Sequence, residues 1–120
     1  MKPSIDALIN EVKDSANPEN LGMVLVHNGV VRSTSKTGEC VKEMELSYDE
    51  EKLKEVVSEI EKREGIEAVR VWINRGRLKI GDDIMIVVVA GRFRKDVLPA
   101  FEELISRIKK EVVVEKEIQR

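Results

Sequence analysis

Seven consecutive apolar residues, Ile84–Ala90 (IMIVVVA), leave no side chain for water on either face of a strand. A strand of that pattern lies inside a sheet, with neighbours at both edges and packed cover above and below. The rest of the chain must supply both. The same run is far too short to span a bilayer, so it predicts a core element and no membrane association. At 120 residues the chain removes roughly two-thirds of its unfolded surface from water and needs no staples. It reads as a single domain, 1-120, with residues 1-20 holding a short N-terminal helical segment.

The candidate neighbours follow from periodicity. Ile5, Leu8, Ile9 and Val12 recur at helical spacing over Ser4 to Asp14, and Asn17 with Pro18 ends that helix. GMVLVHNGVV predicts a first strand, and CVKEMELSY predicts a second, half-exposed one pairing back on it across a hairpin tip at Ser33 to Glu39. Asp49 can cap a helix whose apolar stripe is Leu53, Val56, Val57 and Ile60, and Gly65 ends it. AVRVWIN and DDIMIVVVAG read as strands, with RGRLKIG between them as a short basic turn. Asp96 is the expected cap of a last long helix, with Pro99 in its first turn and Val97, Phe101, Leu104, Ile105 and Ile108 facing the core. The strand EVVVEKEI then follows almost without a loop. Helices and strands do not alternate regularly in this order, which indicates an α+β domain: a mixed, mainly antiparallel sheet with packed helices.

Composition excludes several function classes. Net charge is -2 with 37% charged residues, so no overall basic field attracts nucleic acid. Tyr48, Trp72, Phe93 and Phe101 leave few rings for stacking bases. One cysteine, Cys40, and one histidine, His27, argue against a disulfide framework and a structural metal. The polar N-terminus is unlike a signal peptide, and a cytoplasmic location is expected. Abundant Glu and Lys with a single Gln fit thermophilic proteins. The sequence has no phosphate-cradling glycine loop, Walker sequence or Ser, His and Asp arrangement. His27, in an apolar strand, reads as a hydrogen-bonded structural histidine, and Cys40 as a small buried residue.

Cations are the more informative residues. Arg32 stands where the first strand ends and a hydroxyl-rich loop carrying Lys36 begins. Arg92, Arg94 and Lys95 gather at the start of the last helix, whose dipole already makes that end positive. An anion site explains them; so does simple solvation or pairing with the many carboxylates. Lys109 and Lys116 frame the junction of the last helix and last strand. They fit the negative helix end and an edge strand, or a lysine used as base or nucleophile.

Together these segments resemble the large, catalytic subunit of molybdopterin synthase from about Gly22 to Glu117. The residues that carry the resemblance are GVVR at Gly29 to Arg32, MELSY, GRLKIGDD, Arg92, and the lysine pair Lys109 and Lys116. The family's histidine before Arg92 is replaced by Gly91, its earlier His-Arg pair by Ile73 and Asn74, and its Pro and Trp near the second lysine are absent from VVVEK. The resemblance implies an α/β-hammerhead-like fold and a ubiquitin-like small subunit whose C-terminal Gly-Gly thiocarboxylate enters a pocket. Sulfur then passes in two rounds to cyclic pyranopterin monophosphate, giving the dithiolene of molybdopterin.

It further implies a homodimer, a heterotetramer with the small subunit, and no metal or other cofactor. Lys109 and Lys116 are then the catalytic residues, and Arg32, Arg92, Lys36 and Arg94 hold substrate or anion, with Arg32 and Arg92 expected to converge on Lys109. The alternative is a noncatalytic relative that binds a ubiquitin-like sulfur carrier or an anionic small molecule. An unrelated nucleotide-binding regulatory domain has no motif to support it.

Overall fold

The computed structural model describes residues 2–34, 38 and 40–119. Its centre is β5 (Asp83–Gly91), flanked antiparallel by β1 (Met23–Val30) and by β3 (Ile66–Ile73). Every residue of β5 from Met85 to Gly91 is buried. Alternate side chains go to opposite layers. Ile86, Val88 and Ala90 pack under helix α1 (Ile5–Ser15) with Leu8 and Val12. Met85, Val87 and Val89 join a larger core shared with α2 (Glu50–Glu61) and α3 (Arg94–Arg107). The demand for neighbours at both edges and cover on both faces is met, and each fully buried valine contributes roughly 1.5–3 kcal/mol over an exposed one.

Local chemistry sets the helix starts. The Ser4 hydroxyl accepts from the Ala7 N–H at 3.0 Å, and the Asp49 carboxylate accepts from the Lys52 N–H at 3.1 Å. The last helix departs from expectation. It begins at Arg94 with Phe93 as an N-cap that offers no side-chain acceptor, so Asp96 lies within the first turn and Pro99 inside the helix. Lys95 and Pro99 both lie on the exposed side, where water takes the place of the missing proline N–H.

The second strand does not pair back on the first. β2 (Val41–Tyr48) lies instead at the centre of a separate antiparallel sheet, between β4 (Gly76–Lys79) and β6 (Val113–Gln119). Among its described residues the connection has an isolated bridge between Thr34 and Cys40, and the Val41 N–H donates to the Ser33 carbonyl at 2.8 Å. The reason is burial. β2 buries Val41, Met44 and Leu46 and exposes Lys42, Glu45 and Ser47, a pattern that needs one solvated face. The basic turn RGRLKIG is itself the edge strand β4, with Leu78 pointing into the core. Cys40 is exposed rather than buried. β1, left as an edge strand, exposes Val26 and Val30.

A π-turn, Ile108–Val112, separates α3 from β6, which starts at Val113 rather than at Glu111. The Val113 N–H closes back on the Ile108 carbonyl, and the Val112 carbonyl accepts from the Asp49 N–H at 3.0 Å. One wide turn thereby replaces a loop.

Candidate functional site

The π-turn is held from both sides. Arg107 Nε donates to Glu111 at 2.9 Å, Arg107 reaches Glu59 of α2 at 3.0 Å, and Lys52 lies 3.4 Å from Glu111. Hydrogen bonding to Arg107 holds the Glu111 carboxyl below its usual range, and the same partners raise the Arg107 guanidinium. A carboxyl with a depressed folded-state pKa adds stability above its ordinary titration range and loses it as pH falls through the folded value. Urea midpoints are therefore expected to drop less steeply from about pH 5 to about pH 3 in Glu111→Gln than in the wild type. Added salt shrinks the difference, since the pair is exposed. Equal slopes would remove Glu111 from the acid response.

On this clamped turn Ile108 is buried and Lys109 is exposed. Among the described residues Lys109 makes no ion pair, while Arg107 and Glu111 on either side are committed to one another. β1 ends, and Arg32 follows, at the end of the first sheet from which β5 begins, and α3 returns toward that end. Arg32 is exposed, and its Nε donates to the Thr34 carbonyl at 2.8 Å. Val31, between Arg32 and the strand, is buried in the core that Ile108 and Val112 share.

His27 faces the same layer. It shares the parity of Met23 and Leu25, which pack on the core beneath α3, and its ring meets Phe101 edge-on at 6.5 Å between centroids. The ring is half-buried, and among the described residues it has no hydrogen-bond partner, unlike the satisfied structural histidine the strand suggested. Burial first, and then the positive charge of Lys109, hold its imidazole below the usual range. Sequence reasoning missed this residue as part of the Lys109 neighbourhood. The parity along β1 was the available signal.

Arg92 is elsewhere. It follows β5 at the opposite end of α3, whose 14 residues span about 21 Å. Within one chain Arg92 and Lys109 therefore do not converge, contrary to expectation, because a helix with one residue near each end separates them by its length. The Arg92 guanidinium lies over the Phe93 ring at 5.2 Å and 4.0 Å from Glu64. Lys95 approaches the same ring at 5.9 Å, and Arg94 is exposed in the first turn. Arg92 and Lys95 thus flank one exposed aromatic ring, and Arg94 is their neighbour in sequence.

Lys116 lies on β6 directly opposite Glu45, which also faces Arg77 across β2 and β4. Arg77 is paired with Glu43. Lys116, Val114, Ser47 and Arg77 line a groove on this outer face. Lys36 falls outside the described residues. No group of His, Cys, Asp and Glu among the described residues has the arrangement of a metal site.

Gly91 explains its own identity. A Cβ there would stand 2.4 Å from the Gly65 carbonyl oxygen and 2.5 Å from a Val97 methyl. The Gly22 N–H donates to the Gly91 carbonyl at 2.9 Å and the Arg92 N–H to the Gly65 carbonyl at 2.8 Å, so three backbone segments meet with no room for a side chain. Gly65 makes the approach with φ +83, a conformation that L side chains rarely adopt.

The MoaE protein family model matches residues 3–111. The chain belongs to the MoaE protein family. The match contains Arg32, Arg92, Arg94 and Lys109 and stops short of Lys116. An uncharacterized protein of Methanocaldococcus jannaschii is 34% identical over 93 residues, covering 74% of this chain and 78% of that protein. Molybdopterin synthase from Staphylococcus aureus is similar at 30% identity with a TM-score of 0.75, over 93% of this chain and 84% of that one. The Burkholderia multivorans molybdopterin cofactor biosynthesis protein E aligns over 100% of this chain and 84% of its own, with 25% identity and a TM-score of 0.79. A Helicobacter pylori structure, a protein–protein complex of subunits 1 and 2 of molybdopterin-converting factor, shares the fold at 19% identity and a TM-score of 0.72, over 98% and 80% of the two chains. The three solved structures share this chain's fold, and the α+β reading stands, with its strands divided between two antiparallel sheets. No described helix is long and apolar enough to cross a membrane.

Proposed function

We propose that this chain acts in molybdenum cofactor biosynthesis as the large subunit of a molybdopterin synthase. In this reading it passes sulfur from the C-terminal thiocarboxylate of a ubiquitin-like small subunit to cyclic pyranopterin monophosphate. The observation that carries it is Lys109: an exposed amine with no ion pair among the described residues, on a clamped π-turn inside the stretch that matches the MoaE family. Lys109 acts there as acid, base or transient nucleophile at the terminal carbonyl of the tail. Arg32 supplies positive charge from the same end of the sheet, and Lys36, four positions later in the sequence, is assigned to the same anion. Lys116 holds tail or substrate from the outer groove of the second sheet. Preorganised cations of this kind stabilise developing negative charge without reorganising.

The distance along α3 requires Arg92 and Arg94 to serve either a second anion site or the Lys109 pocket of another copy. A homodimer is the simpler solution. It would also cover unpaired strand edges such as β6, where Val114 is 66% exposed. Light scattering at micromolar concentration is expected to give twice the mass of the chain, and a heterotetramer once the small subunit is added. A monomer under both conditions would leave Arg92 without a role at Lys109. Removing the two terminal glycines of the small subunit is expected to weaken its binding strongly, and unchanged affinity would sink the tail assignment.

Gly91 favours a second reading, a noncatalytic module that binds the sulfur carrier without turnover, because the position cannot hold the histidine of the resembled family. Reconstitution with thiocarboxylated small subunit and cyclic pyranopterin monophosphate separates the two. Molybdopterin formation supports the synthase; a stable complex without product supports the binding module.

A further inference from the structure

We infer that Arg107 is a positioning residue for Lys109 and that α2 is the splint against which it works: together they hold the π-turn in one geometry, and so fix where the Lys109 amine stands. The inference rests on the reading of Lys109 as the reacting amine and adds the means by which the fold places it. The turn is unevenly secured. Ile108 and Val112, at its ends, are 0% and 3% exposed, while Lys109, Lys110 and Glu111 between them are all exposed. Of those three, Glu111 alone has a side-chain tether among the described residues. Lys109 therefore sits between a buried anchor one residue before it and a tether two residues after it.

Three of the holds come from α2 and its cap. The Asp49 N–H donates to the Val112 carbonyl at 3.0 Å, Lys52 lies 3.4 Å from Glu111, and Glu59 accepts from Arg107 Nη2 at 3.0 Å. Arg107 ties these to the turn itself: its Nε donates to one Glu111 oxygen at 2.9 Å and its Nη2 to the other at 3.3 Å. A planar guanidinium can grip both oxygens of one carboxylate while reaching a second, which a lysine ammonium does not do at fixed angles. Helix stability alone does not account for the choice of residues. A carboxylate in the last turn faces the negative end of the dipole, and arginine four positions before glutamate is the weaker order for such a pair. Exposed pairs also add little to global stability. What the fork does supply is a single geometry for a five-residue turn that carries the reacting amine. Such geometry matters because a displacement of about 1 Å at a reacting group can cost on the order of 100-fold in rate.

The test separates position from binding and from stability. Single-turnover transfer from thiocarboxylated small subunit to cyclic pyranopterin monophosphate is measured against small-subunit concentration for the full chain and for Arg107→Gln. The maximal rate should fall roughly tenfold while the half-saturating concentration moves by less than about twofold, because the reacting amine is loosened and the docking surface is not. Amide exchange followed by NMR reads the turn directly. In Arg107→Gln the Val113 amide, which closes on the Ile108 carbonyl, should exchange roughly tenfold faster, while the amides of β5 keep the wild-type rate. Arg107→Lys should recover only part of both, since it keeps the charge and loses the fork. Arg63→Gln breaks a comparable pair outside the turn, with Glu103 of α3 at 3.1 Å, and should leave rate and exchange unchanged. An unchanged maximal rate, a loss confined to the half-saturating concentration, or exchange that quickens throughout β5 overturns the inference. A wild-type chain that binds the small subunit and forms no product overturns the synthase reading instead, and takes the inference with it.

Discussion

Lys109→Ala is expected to lower sulfur transfer roughly 100- to 10,000-fold, the range in which a positioned proton-transfer or nucleophilic side chain contributes. The fold should survive, because the side chain is exposed and the π-turn is clamped by Arg107, Glu111, Glu59 and Lys52 rather than by Lys109 itself. Binding of the small subunit should change by only a few fold. Lys109→Arg should not rescue turnover, since a guanidinium keeps the charge but is effectively never deprotonated. Single-turnover assays with the thiocarboxylated small subunit read both variants. Full transfer by either variant removes Lys109 from the chemistry, and a loss of cooperative unfolding would make it structural instead.

Gly91→His should fail for a different reason, by unfolding the junction it enters. The Cβ alone would press on the Gly65 carbonyl and the Val97 methyl at distances no unstrained structure allows, and both belong to packed backbone or buried core. Overpacking of this kind costs typically 1–3 kcal/mol for a few extra carbons, and an imidazole with polar nitrogens at a buried position adds to it, so a loss of about 3 kcal/mol or more is expected. Urea unfolding monitored by Trp72 fluorescence reads the change. A variant as stable as the wild type would mean that the junction opens easily, and the glycine would then no longer weigh toward the binding-module reading. Arg92, one residue later, is exposed and should tolerate substitution without such a penalty.

Most of the elements were legible in the sequence because each is written in a local period. The apolar run of β5, the stripes of α1 and α2, and the cap Asp49 depend on residues a few positions apart. Which strand pairs with which is not local. The alternation in CVKEMELSY predicts a half-exposed strand correctly, yet it is equally compatible with pairing to β1 or to β4 and β6, and only the complete packing of β5 decides. The π-turn was invisible for a similar reason: one extra residue in a helical turn leaves the apolar stripe through Ile108 intact. The separation of Arg92 from Lys109, in contrast, was legible. A helix of the expected length between them already fixes their distance, and grouping cations by charge alone passed over it. His27 was hidden by its own strand, since parity shows the face it occupies but not that a lysine more than eighty positions later arrives there.

The π-turn also sets a reading frame for everything after it. Strand side chains alternate, so the number of residues consumed between α3 and β6 decides whether odd or even positions of Glu115, Lys116 and Glu117 look outward from the second sheet. With five residues in the turn, Lys116 comes opposite Glu45, and opposite charges meet. A turn one residue shorter, with β6 still seated on β2, would bring a glutamate there instead. It would also exchange a cation for an anion on the outer groove. The charge of that face is therefore encoded less by the residues of β6 than by the length of the turn before them.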